Sequence, residues 1–104
     1  MNLSGDQVLK RLLPLLRDLY AETAGLSADE AELQAWYNRG YADGMLSAMR
    51  RLGHEQALQD ALQPFPQPVS QESPFLPWGK AYRHGYETGE QETSEVLPPR
   101  QPEG

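Results

Sequence analysis

The segments YNRGYADG, residues 37–44, and YRHGYETG, residues 82–89, share the pattern Y-x-x-G-Y-x-x-G at an offset of 45 residues. This repeat limits the fold more than any other feature of the chain. On a helix, residues four apart lie on one face. Gly40 with Gly44, and Gly85 with Gly89, then each open a smooth strip. Tyr37 and Tyr41 flank the first strip, and Tyr82 and Tyr86 flank the second. A glycine inside a helix costs about 0.8–1 kcal/mol relative to alanine. Four of them in two helices imply a compensating gain, and close backbone approach supplies one. The pattern predicts a tight crossing, either between two helices of one chain or between two copies of one helix across a dimer. Leucine at Gly40 or Gly85 is expected to hold the helices apart, and alanine to be milder. Packing is the first reading of such a stripe. Exposed anchors are the alternative, because Tyr and Trp are enriched at binding hot spots, and Trp36 and Trp78 stand just before the two repeats.

The rest of the chain reads as helix broken by proline. A first helix is expected over 4–24. Ser4 to Gln7 form a capping box, with Leu3 and Val8 as its hydrophobic staple. Leu9, Leu12, Leu13, Leu16, Leu19 and Tyr20 keep helical spacing. Pro14 interrupts the run, so a kink or break is expected near Leu13. A second helix is expected over 27–62, opened by the S-x-x-E box at Ser27, with Gly53 as a possible end and His54 to Leu62 either continuing it or forming a short separate helix. A third is expected over 77–94, with Pro77 in its first turn. Residues 63–77 hold five prolines and read as an extended strap over the helices, with Phe65 and Phe75 among its apolar residues. The stretch 96–104 reads as a disordered tail. The fold class is therefore all-α: a small bundle of about three main helices in one domain, 1–95.

Charge and composition narrow the function. The 104 residues carry nine basic and fifteen acidic side chains, a net charge of −6. Nucleic-acid binders rely on Lys and Arg to neutralise phosphates, so direct nucleic-acid binding is disfavoured. So is an anionic membrane surface. There is no cysteine, which excludes disulfides and thiolate metal sites. No run approaches the ~20 apolar residues of a membrane span. The opening segment lacks the charged and apolar regions of a secretory signal, so a cytoplasmic location is expected. His54 and His84 lie thirty residues apart with no ligand spacing around them, so no metal or other cofactor is expected. No nucleophile elbow, phosphate loop or dinucleotide fingerprint is present, and the acidic clusters fall in solvated helix turns. A non-enzyme is expected.

Two resemblances follow. Arg39-Gly40-Tyr41-Ala42-Asp43-Gly44 is similar to the R-G-Y-x-x-G element of the ribosome modulation factor family, and Trp78-Gly79-Lys80-Ala81-Tyr82, with Gly85, loosely matches that family's tryptophan helix. This resemblance implies a ribosome-associated role. Members of that family are strongly basic, whereas this chain has Glu87, Glu90, Glu92 and Glu95 along its last helix. In length, composition and the opening leucine helix, the chain also resembles the QslA type of pseudomonad quorum-sensing anti-activator. That resemblance implies a non-enzymatic helical protein that binds a LuxR-type transcriptional regulator and keeps it from DNA. The leucine stripe exceeds what so short a chain can cover from within, so a homodimer is expected. The expected partner or dimer surface comprises Leu9, Leu12, Leu13, Leu16, Leu19, Tyr20, Trp36, Tyr37, Tyr41, Phe65, Phe75 and Trp78. The expected helix crossing comprises Gly40, Gly44, Tyr82, Gly85, Tyr86 and Gly89.

Overall fold

A computed structural model describes residues 5–24, 32–63 and 76–99. The described residues form four helices and no strand: α1 Gly5–Glu22, α2 Leu33–Arg51, α3 Glu55–Ala61 and α4 Pro77–Val96. The chain is all-α. Ser4, the Ser27 capping box, Phe65 and Phe75 lie outside the described residues.

α2 and α4 are the centre of the fold, and they run parallel. Trp36 stacks on Trp78, Gly40 faces Tyr82, Gly44 faces Tyr86, Ser47 bonds Glu90 and Arg51 bonds Ser94. The two residue numbers rise together along the pair. The contacts at the glycines are reciprocal. A side chain at Gly40 would run into the carbonyl of Tyr82, and one at Gly85 into the carbonyl of Tyr37. Gly44 likewise meets Tyr86, and Gly89 meets Tyr41. Each glycine therefore faces the same tyrosine position of the other repeat. This is the signature of a pseudo-two-fold axis lying along the helices. The repeat exists because one surface packs against a second copy of itself within a single chain. In each case a glycine hydrogen occupies the direction a Cβ would take and points at a backbone carbonyl, a Cα–H···O geometry recurrent at close helix interfaces.

Parallel pairing has a topological cost. α2 has 19 residues, about 28 Å of helix, and the chain must return that distance before α4 can start beside it. α3 makes the first part of the return. The helix expected over 27–62 is therefore two helices. α2 closes with a Schellman motif: Gly53 N–H donates to the Arg50 carbonyl and His54 N–H to the Met49 carbonyl. Gly53 has φ of 92°, a conformation that glycine adopts without a Cβ penalty. At its other end, α2 begins at Leu33. Glu32 is extended, with ψ of 155°, so α2 does not continue back through it. Trp36 is the first buried residue of α2, so helix and core contact begin nearly together.

α1 lies on α2. Pro14 sits inside α1, which continues without a break from Gly5 to Glu22. Leu9, Leu16 and Tyr20 pack with Ala42, Met45, Leu46 and Met49 of α2, Leu58 of α3, Leu62 and Leu97. Leu97 was expected in the tail, but only 1% of it is exposed. α4 runs two residues past its expected end, to Val96, and His54 Nε2–H donates to the Pro98 carbonyl at 3.0 Å. Residues 96–99 thus belong to the folded body, because the apolar Leu97 closes the core at the α2–α3 turn. Residues 100–104 lie outside the described residues.

Candidate partner-binding surface

The expected binding residues separate into three groups once the helices are assembled. Leu9, Leu16, Tyr20 and Trp36 are buried and serve the core. Leu12, Leu13, Leu19, Tyr37, Tyr41 and Trp78 are half-buried. Phe65 and Phe75 lie outside the described residues. Most of the leucine surplus is therefore covered by the fold itself. The crossing residues are also divided. Gly40, Gly44, Tyr82, Gly85 and Gly89 are buried between α2 and α4, while Tyr86 is half-buried.

Among the described residues, the large apolar side chains that remain open are Leu15, Leu33, Leu76 and Val96, each about half exposed. They lie in two places. Leu15 and Val96 line a groove of about 340 Å³ with Leu12, Tyr41, Met45, Glu92, Thr93 and Glu95. α1 forms one wall, α4 the other, and α2 the floor. At its rim the Tyr41 hydroxyl donates to Glu92. Burial first, and then this bond to a carboxylate, pushes the Tyr41 phenol up to about 12. The hydroxyl therefore remains a donor throughout the neutral range. Leu33 and Leu76 stand beside the starts of α2 and α4, at the end of the molecule where Trp36 and Trp78 meet with ring centroids 4.5 Å apart.

Behind these surfaces is a buried polar cluster that the spacing of residues did not reveal. Asp43 is 5% exposed. Its carboxylate accepts from the Tyr20 hydroxyl at 2.7 Å and from the Tyr82 hydroxyl at 2.6 Å. Arg39, one turn earlier, lies 3.4 Å from the same carboxylate, and its guanidinium sits 4.8 Å above the Tyr20 ring. Desolvation, reinforced by the Asp43 charge, keeps the Tyr20 hydroxyl protonated far above its ordinary range. One acid thus ties α1, α2 and α4 together. The sequence signal was present but small: an Arg and an Asp at i,i+4, on the helix that also carries the buried glycines.

The members of this cluster bond to one another. The described residues contain no group of three His, Cys, Asp or Glu side chains able to hold a metal ion, and none of their helices is long and apolar enough to cross a membrane. Comparison with protein-family models, curated proteins and solved structures returns no match.

The R-G-Y-x-x-G element now has a physical account. Arg39 faces Asp43, Gly40 and Gly44 meet the backbone of α4, and the Tyr41 carbonyl meets Gly89. Each of these residues is used to build the parallel pair. A likeness confined to that element therefore concerns how two helices pack.

Proposed function

We propose that this chain is a non-enzymatic, cytoplasmic regulator that acts by binding another protein, and that its target is a LuxR-type transcriptional regulator kept from DNA by the contact. The observation that carries the reading is the groove between α1 and α4, where Leu15 and Val96 remain about half exposed beside Leu12 and Met45. Apolar side chains grouped at the surface of a folded chain mark sites of protein–protein contact. The net charge of −6 supports a protein partner over a nucleic acid. The choice of a LuxR-type target rests on the resemblance to the QslA-type anti-activators in length, composition and opening helix. A homodimer belongs to the same reading, and sedimentation equilibrium at micromolar concentration that returned a clean 11.7 kDa species would remove it.

The second reading is a ribosome-associated protein. It is favoured by the pairing of an R-G-Y-x-x-G helix with a tryptophan helix and opposed by the acidic balance of the chain. Affinity purification of the tagged protein separates the two. A single transcriptional regulator in the eluate, released from its operator DNA when purified chain is added in a gel-shift assay, supports the first. Ribosomal subunits in the eluate support the second and refute the first.

A further inference from the structure

The groove between α1 and α4 is apolar inside and acidic along one edge. Leu12, Leu15, Met45 and Val96 supply its apolar lining and Glu92 and Glu95 its charges, and none of its lining residues is basic. Neither glutamate belongs to the ion pairs formed among the described residues, which are Arg39–Asp43, Arg50–Glu55 and Arg83–Glu87. Their partners are neutral donors: the Tyr41 hydroxyl for Glu92, and the Gln91 side-chain amide, 3.2 Å away, for Glu95. A bond from a neutral donor leaves a carboxylate its charge and further acceptor sites. On the α1 wall, Arg11 and Asp18 stand one turn to either side of Leu15 and offset each other. The groove therefore keeps two uncompensated negative charges beside its apolar lining.

The place of these acids does α4 no service. The C-terminal end of a helix carries about half a negative charge, which favours cations and disfavours acids. α4 ends at Val96 with no basic residue in its last turn, while Glu92 and Glu95 stand four residues and one residue before that end. α2 follows the favourable rule, with Arg50 and Arg51 in its last turn; Arg50 pairs with Glu55 and Arg51 donates to Ser94. Two glutamates kept at a disfavoured helix end, next to the half-exposed Leu15 and Val96, are accounted for by a cation that arrives from outside together with apolar side chains.

The walls of the groove limit what can carry that cation. The described residues contain no strand, so they offer no sheet edge to an extended peptide. Tyr41 alone among the lining residues is aromatic, whereas grooves that take polyproline segments are lined by aromatics. Two helical walls over an apolar floor suit the remaining mode, an amphipathic helix laid into a groove with anchors at i and i+4. We propose, on the reading of the chain as a protein binder, that this groove takes a basic amphipathic helix of the partner protein. The apolar side chains of that helix enter between Leu12, Leu15, Met45 and Val96, and its Lys or Arg side chains pair with Glu92 and Glu95.

The test uses the purified full chain and three labelled helical peptides in an alanine background, with binding read by fluorescence anisotropy. The first carries leucines spaced i, i+4 and i+7 with a lysine before each. The second has glutamate for lysine, and the third keeps the lysines without the leucines. The leucine–lysine peptide is expected to saturate the chain, and the other two to bind at least about tenfold more weakly, a ratio that corresponds to 1.4 kcal/mol. Glu92→Gln combined with Glu95→Gln should weaken the leucine–lysine peptide about tenfold, because the amide oxygens can still accept from Tyr41 and Gln91 while the charge is gone. Glu32→Gln combined with Asp60→Asn removes the same charge from exposed positions elsewhere and should leave its affinity unchanged. Leu15→Gln should weaken it as well, with circular dichroism still helical. Absence of binding, equal binding of the three peptides, or an equal effect of the two double variants would overturn the proposal. So would a dimer that Leu15→Gln dissociates and the peptide does not, since the groove would then be covered by a second copy of the chain. These titrations involve no regulator, so failure to capture a LuxR-type protein leaves this site standing. A regulator released from its DNA equally well by the Glu92→Gln, Glu95→Gln chain would leave the proposed function standing and refute the site.

Discussion

Alanine at Gly40 separates two accounts of the repeat, because they differ in sign. If the glycines were merely exposed helix positions, Gly40→Ala would stabilise the protein by about 0.8–1 kcal/mol through helix propensity. The structure gives the opposite result. A Cβ at Gly40 would lie 2.8 Å from the Tyr82 carbonyl carbon and 3.0 Å from its Cα, against an ordinary carbon–carbon contact of roughly 3.5–4.0 Å. The obstacle is backbone on the opposing helix, and the Tyr82 carbonyl oxygen is closer still, so no rotamer change relieves it and the helices must part by at least about 1 Å. A gap of that order forfeits about a quarter to a half of the dispersion well at each contact across it. Overpacking typically costs about 1–3 kcal/mol, and a rigid obstacle places this site at the upper end. Subtracting about 1 kcal/mol for propensity leaves a net loss of about 2 kcal/mol. At about 4–8 °C per kcal/mol for a domain of this size, Tm should fall by about 8–16 °C in a far-UV circular dichroism melt. Alanine is therefore costly in its own right, though still milder than Gly40→Leu, which should prevent the pairing altogether. Reciprocity adds a condition: Gly85→Ala should cost nearly as much as Gly40→Ala. The double variant should cost less than the sum, since one separation accommodates both methyl groups. An unchanged or raised Tm in either single variant would refute the close-approach argument.

Other outcomes follow from individual residues. A chain ending at Val96 should lose about 2–4 kcal/mol in urea unfolding relative to one ending at Pro99, because it leaves the site of a fully buried Leu97 empty. Equal stability of the two would return that residue to the tail. Asp43→Ala should cost more than about 2 kcal/mol, since it leaves the hydroxyls of Tyr20 and Tyr82 without their acceptor and Arg39 without its carboxylate. Tyr20→Phe removes one donor only and should cost less by the same assay. In alkaline titration followed by phenolate absorbance, Tyr41 should ionise near 12, above the ordinary value of about 10. A tyrosine whose folded pKa is raised stabilises the fold below its unfolded pKa, and that contribution is lost as pH rises from about 10 toward 12. Glu92→Gln should shift this titration down, and a Tyr41 that ionised at its ordinary value in the intact protein would contradict the bond.

Much of the helical framework was legible because it follows from local rules. Leu9, Leu12, Leu13, Leu16 and Tyr20 keep the period of a helix face, Pro77 suits a first turn, and Gly53 suits a helix end; each signal acts within a few residues of itself. The repeat went further and announced a close crossing, because glycine at i and i+4 twice over has no better use inside a helix. The direction of the crossing was not legible. Parallel and antiparallel pairs can bury the same Gly–Tyr strips, and only the three-dimensional path sets Gly40 on Tyr82 and Gly85 on Tyr37. That choice joins the two positive helix ends around Trp36, and it could not be read from a one-dimensional pattern. Asp43 and Leu97 escaped for a related reason. A lone acid in a helix is ordinarily solvated, and a leucine before two prolines ordinarily begins a tail. Each becomes interior only because other helices bring partners from far along the chain: Tyr20 of α1 and Tyr82 of α4 to the carboxylate, and Met49 of α2 and Leu58 of α3 to the core that encloses Leu97. Sequence determined which segments are helical and that two of them must touch. Tertiary structure decided their orientation, and with it which apolar residues were consumed by the core and which were left facing outward.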